Sequence, residues 1–167
     1  MCPDNNLLTP EGLQVLDFES ASFHSLFQDA AYARMPFPTC WCVSRLPAGL
    51  AVEVEQRYRK LVVGTFPDLT DDEVWEAGVR SAVALWTVTM TPHYLWTVQE
   101  KGDAPMHSAR SDLPTTRQVA RHRWSSLVEL LEPVGELPVL VKHMRALLEA
   151  TVSWNVEPLP YYPAFST

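Results

Sequence analysis

No run of eighteen apolar residues occurs in the 167-residue chain, so no segment has the length and character of a membrane-spanning helix. The N-terminus lacks the basic and apolar pattern of a secretory signal, and the expected location is the cytoplasm. Glycine is scarce, with six scattered residues. None of them forms a Gly-rich phosphate loop such as G-x-x-x-x-G-K-S/T, and no apolar strand carries a lone lysine. A basic stripe is missing too. Thirteen Lys and Arg stand against twenty Asp and Glu, a formal charge of −7, which argues against a nucleic-acid partner. Cysteine is limited to Cys2, Cys40 and Cys42, read as the reduced thiols of an intracellular protein. Cys40-Trp41-Cys42 with His24 would offer three metal ligands, but without a structural-zinc spacing. The five histidines, His24, His93, His107, His122 and His143, share no close ligand spacing and read as surface or half-buried residues.

What is present is material for one core: 47% hydrophobic residues, divided into short elements by fourteen prolines. Near the start, Leu7-Leu8 and Leu13 to Leu16 are short apolar runs separated by Thr9-Pro10-Glu11-Gly12. In that turn Pro presets φ and Gly tolerates positive φ, so the runs are expected to pair as a hairpin. A hairpin returns the chain on itself and brings Asn5, before one strand, to the same end as Asp17, after the other. An Asn amide oxygen and an Asp carboxylate are hard ligands of the kind magnesium takes one or two of from a protein. The same two residues are also ordinary turn formers flanking a hairpin.

The segment from Met1 to about Cys42 resembles the aminoglycoside phosphotransferase and choline kinase-like family. That family's catalytic loop has the form H-G-D-x-x-P-x-N, followed by a hairpin and an I-D-F/W-E motif. Cys2-Pro3-Asp4-Asn5 fits the latter half of the loop, and Val15-Leu16-Asp17-Phe18-Glu19 fits the second motif. Ser20-Ala21-Ser22-Phe23 and Gln28-Asp29-Ala30-Ala31-Tyr32 extend the likeness. The resemblance implies that Asn5 and Asp17 hold Mg2+ on the phosphates of ATP, and that Asp29 opens the next helix and supports the site. It implies transfer of the γ-phosphate to a hydroxyl of an aminoglycoside or other small acceptor. The catalytic Asp would fall one residue before Met1, and the nucleotide lobe is missing. The chain as given is therefore expected to be nearly inactive, and Met1 is read as an internal methionine, with a truncated product as the competing explanation. The implied fold class is mainly α: the helical C-terminal lobe of a protein-kinase-like α+β fold, opened by a short β-hairpin. The alternative is a non-catalytic helical interaction or scaffold domain, with a protein partner over the lobe surface left exposed.

The remainder reads as one domain over 1–167: a metal-binding hairpin over 1–19, helices over 47–152 and an extended tail over 153–167. Ala51 to Val63 is expected to be a surface helix carrying Val52, Leu61 and Val62. Thr70-Asp71-Asp72-Glu73 reads as a capping box with Thr70 as the cap, ahead of Val74, Trp75, Val79, Val83 and Trp86. Pro92 to Pro114 is expected to be irregular. Its Asp103 and Asp112 are candidates for acceptor recognition or simply solvated loop charges. Thr115 or Thr116 is expected to cap a helix through about Leu131, and a last helix should follow Pro138. Met35 to Cys42 reads as a rigid, aromatic-rich loop beside the hairpin. Trp86, Trp96 and Trp124 fit either a core or a sugar-stacking surface.

Overall fold

Residues 3–17 and 22–166 are described by the computed structural model. Its N-terminal feature is a hairpin of β1 (Asn6–Thr9) and β2 (Gly12–Val15). The strands pair antiparallel with Leu8 opposite Leu13 and Thr9 opposite Gly12. The loop is thus two residues, Pro10-Glu11. Gly12 takes φ 120°, a conformation that a side chain at that position would resist. The Thr9 hydroxyl donates to the Gly12 carbonyl at 3.0 Å and pins the turn.

Five α-helices follow among the described residues: α1 (Leu26–Ala30), α2 (Ala48–Val62), α3 (Asp72–Lys101), α4 (Thr116–Leu131) and α5 (Pro138–Ala150). The chain is mainly helical with one short antiparallel hairpin, and none of the helices is long and apolar enough to cross a membrane.

α3 is the longest element, and it departs from the expectation at both ends. Its cap is Asp71, whose carboxylate accepts from the Glu73 and Val74 amides at 2.8 and 3.3 Å. The Thr70 hydroxyl instead donates to the Pro67 carbonyl, closing a 3-10 turn, so the helix starts one residue later than a Thr70 cap would place it. At the other end the helix passes through Pro92 and stops only at Gly102, where φ is 69°. Proline removes one helical hydrogen bond and ordinarily kinks or breaks a helix. Here tertiary anchoring outweighs it. Thr91 and Tyr94 flank the proline and are buried, and the Trp124 indole donates to the Thr91 hydroxyl at 2.9 Å from α4. The irregular stretch is therefore 102–114, shorter than expected.

α4 begins with a capping box, with the Thr115 hydroxyl accepting from the Gln118 amide and the Gln118 side chain accepting from the Thr115 amide. Its Val119, Trp124, Leu127 and Leu131 are fully buried between α3 and α5. On α5 the inward positions are Val141 and Met144, with Leu140, Leu147 and Leu148 half-buried beside them. α1 meets α3 closely at Gly78, where a Cβ would lie 2.4 Å from the Phe27 ring.

α2 follows its expected polarity only at Val62, which packs against the core. Val52 and Leu61 face solvent, whereas Ala51 and Glu55 are buried. The Glu55 carboxylate is wholly enclosed and accepts from the Arg34 guanidinium and from the Trp75 indole, the latter at 2.8 Å. Arg34 also reaches Glu76 at 3.2 Å, Arg80 lies 4.0 Å from Glu76, and Arg80 forks onto Glu136 at 2.7 and 2.9 Å. This chain of alternating charges joins α2, α3 and the approach to α5.

The tail is extended only over residues 155–162, between 3-10 turns at Val152–Trp154 and Pro163–Phe165, and so is a shorter strap than the 153–167 expected. Leu159 is buried, the Arg45 amide donates to the Pro160 carbonyl at 2.7 Å, and the Tyr162 amide donates back to the Arg45 carbonyl at 3.1 Å. Arg45 and Tyr161 thus form an isolated parallel bridge, and the Tyr162 hydroxyl donates to the Cys42 carbonyl at 2.6 Å.

Candidate functional site

Beyond its last ladder pair, Asn6 with Val15, the hairpin adds one rung: the Leu16 amide donates to the Asn5 carbonyl at 2.8 Å. That rung places the two proposed magnesium ligands side by side. The Asn5 side-chain nitrogen donates to Asp17 Oδ2 at 3.2 Å, and Asp17 itself sits at φ 62°, a left-handed conformation that Asp tolerates better than most residues. Rotation of the Asn5 amide by 180° exchanges its nitrogen for its oxygen. The pair can then present two hard oxygens to a cation at the exposed end of the hairpin, which fits a magnesium site built from one or two protein ligands. Met1, Cys2, Phe18, Glu19, Ser20 and Ala21 lie outside the described residues, and with them the flanks of both family-like motifs.

Asp29 stands on α1 and pairs with His24 at 3.2 Å. Among the described residues no hydrogen bond or ion pair joins it to Asn5 or Asp17, so its support is given to the segment between hairpin and helix.

The Met35 to Cys42 loop packs beside the start of the hairpin. Met35, Pro36, Pro38 and Cys40 are buried, and Cys40 Sγ lies 3.8 Å from Asp4 Oδ1. Asp4, Cys40 and Cys42 present ligand atoms within 4.8 Å of one another. His24, the partner considered from sequence, is engaged with Asp29 instead. Cys40 is disulfide-bonded, contrary to its reading as a reduced thiol, so it has no thiolate to give a metal. Burial, reinforced by the Asp4 carboxylate, pushes the Cys42 thiol above its ordinary range.

Both acidic acceptor candidates have structural partners. The Asp103 carboxylate accepts from the Arg117 amide at 3.3 Å in the first turn of α4. Asp112 accepts a two-pronged contact from Arg110 at 2.7 and 2.8 Å, which holds its pKa down at about 2. The tryptophans divide clearly. Trp124 is core and is withdrawn as a stacking surface, and Trp86 is half-buried with its indole donating to the Gln28 carbonyl. Trp96 is 56% exposed, next to His93.

Sequence reasoning missed two adjoining hollows beside α4. A cavity of about 430 Å3 lies between α2, α4 and residues 33–46, and a second of about 360 Å3 adjoins it under the tail. Arg45, His122, Ser126 and Glu129 line both. Burial, followed by the charges of Arg123 and Arg45, lowers the His122 pKa to about 4. The one sequence signal was the cluster Arg121-His122-Arg123 on a helix with an apolar stripe, which placed a basic segment next to a core.

Comparison with protein-family models, with curated proteins and with solved structures finds no match to this chain.

Proposed function

We propose that the chain is the helical C-terminal lobe of a kinase-like small-molecule phosphotransferase, with Asn5 and Asp17 as its magnesium ligands. The observation that carries this reading is the meeting of Asn5 and Asp17 at one end of the hairpin, 3.2 Å apart although twelve residues separate them in sequence. The two-residue turn and the ladder from Thr9–Gly12 to Asn5–Leu16 hold that end in register. Bound there, magnesium supplies charge neutralisation for the phosphates of ATP. The part played by this chain is positional: Asp17 offers a carboxylate and Asn5 an amide oxygen, both oriented by the hairpin backbone. In the resembled family, an Asp earlier in the same loop motif orients a hydroxyl of an aminoglycoside or other small acceptor.

Isothermal titration with Mg2+ in the presence of a non-hydrolysable ATP analogue, with the heat of Mg2+ binding to the analogue alone subtracted, tests the assignment. Saturable heat that disappears in both Asn5→Ala and Asp17→Ala, with the melting temperature of each variant unchanged, is the expected result. Equal heats in wild type and both variants would remove the site.

A second reading, a non-catalytic interaction or scaffold domain, is favoured by one observation. Leu8 and Leu13, opposite one another in the ladder, stand exposed on one face of the hairpin at 82% and 63%, an apolar pair that a protein partner would cover. It predicts no magnesium-dependent heat at all.

A further inference from the structure

We propose that the joined cavities beneath the tail bind a small amphiphilic anion, a carboxylate or phosphate monoester with a short apolar body, its head at Arg45 and its body along α2 and α4. The site is separate from the hairpin, which contributes none of the lining residues, and the inference does not depend on the magnesium reading.

The first support is an excess of enclosed positive charge. Arg123 is 3% exposed, and its guanidinium donates to the Met35 and Pro36 carbonyls at 3.2 Å each, leaving Nε buried without a partner. Arg45 likewise buries an unpartnered Nε. Neither guanidinium lies within ion-pair distance of a carboxylate among the described residues. The contrast with Arg34, Arg80 and Arg110, each paired with an acid, is sharp. Burying a cation without an anion is costly, and a bound anion removes that cost.

The second support is preorganisation. Arg45 is tied on both sides of its backbone to the strap, and its guanidinium carbon rests 4.2 Å from the centre of the Tyr161 ring. A planar guanidinium held this way offers a fixed fork to a carboxylate or phosphate. Two cavities meet at this residue, so a head group there has room on either side.

The third support is the lining. Met35, Leu46, Val52, Val83 and Leu130 give the larger cavity apolar walls, and about 430 Å3 is the size of a small-molecule pocket. The combination of apolar walls with a few convergent polar groups selects an amphiphile over a bare ion. The Glu129 carboxylate also lines both cavities and opposes an anion, which sets an expected sign for its removal.

The experiment uses hexanoate, hexyl phosphate, hexanol and inorganic phosphate as probes, titrated into the whole chain and followed by amide chemical shifts. Binding by at least one of the two hexyl anions is expected, with hexanol and inorganic phosphate each about tenfold or more weaker. The tighter of the two anions identifies the head group. Arg45→Gln should weaken binding about tenfold or more, and Glu129→Gln should strengthen it. Should Arg45→Gln disturb the fold, Val52→Trp at the half-exposed rim fills the space instead and should abolish binding. Hexanol binding as tightly as the anions, inorganic phosphate binding as tightly as hexyl phosphate, or affinities unchanged in both Arg45→Gln and Val52→Trp would each overturn the proposal.

Discussion

Replacing Glu55 by alanine tests whether the buried charge chain organises the helical lobe. In the native chain the Glu55 carboxylate is fully enclosed, takes a two-pronged contact from Arg34 and accepts the Trp75 indole N–H at 2.8 Å. Glu55→Ala leaves that indole proton buried and unpaired, at about 1–3 kcal/mol, and removes one member of an enclosed ion pair, for a total of about 3–5 kcal/mol. Arg34 retains Glu76 at 3.2 Å and is itself partly exposed, which places the expected loss at the lower end, about 3 kcal/mol. With a urea m-value of about 2 kcal/mol per molar, the midpoint should fall by about 1.5 M. Glu55→Gln keeps an acceptor for Trp75 and should cost about half as much. The double variant Arg34→Met/Glu55→Met should recover only the part of the loss that comes from the unpaired Arg34 charge, because the Trp75 indole stays without an acceptor. Equilibrium urea unfolding followed by tryptophan fluorescence measures all three. A loss below about 1 kcal/mol for Glu55→Ala, or a double variant less stable than Glu55→Ala alone, would refute the reasoning.

Three further outcomes follow from the packing. His122, faced by Arg45, Arg123 and Glu129, titrates at about 4 when folded against an ordinary 6.5. The unfolded state therefore binds more protons between these values, and His122 should subtract about 3 kcal/mol as pH falls from 6.5 to 4. His122→Gln should flatten that part of the stability profile, and an unchanged slope would dismiss the burial argument. Gly78→Ala should destabilise by about 1–3 kcal/mol despite alanine's better helix propensity, because its Cβ meets the Phe27 ring at 2.4 Å; a stabilised variant in thermal melts would show that α1 gives way freely. Asp71→Ala should cost about 1 kcal/mol by removing the cap of α3 while Thr70→Ala costs less, and the reverse order would restore Thr70 as the cap.

The hairpin and the starts of α4 and α5 were legible in the sequence because their signals are local. Pro10-Glu11-Gly12 specifies a turn, the Thr115-Thr116 pair offers a cap, which the structure assigns to Thr115, and Pro138 opens a helix. The meeting of Asn5 and Asp17 was legible for the same reason, since a short hairpin has one register that satisfies both its turn and its ladder. The failures share a cause too. Pro92 reads as a breaker until Thr91 and Tyr94 are seen to be held by the core, and Glu55 reads as a solvated charge until Arg34 and Trp75 arrive from distant segments. The cavity at Arg45 depends on a strap more than a hundred residues away, a distance across which no local pattern carries information. Trp124, placed on an apolar stripe by its spacing, needed only its partner Thr91 to be assigned to the core.

The central claim, that Asn5 and Asp17 form a divalent-cation site at the open end of the hairpin, is tested most directly by adding Mn2+ in place of Mg2+ and mapping paramagnetic broadening of backbone amides. The account predicts early, selective loss of the Asn5, Asn6, Leu16 and Asp17 signals, reversed by excess Mg2+ and absent in Asp17→Ala. Broadening centred elsewhere, or uniform broadening that survives Asp17→Ala, would contradict it.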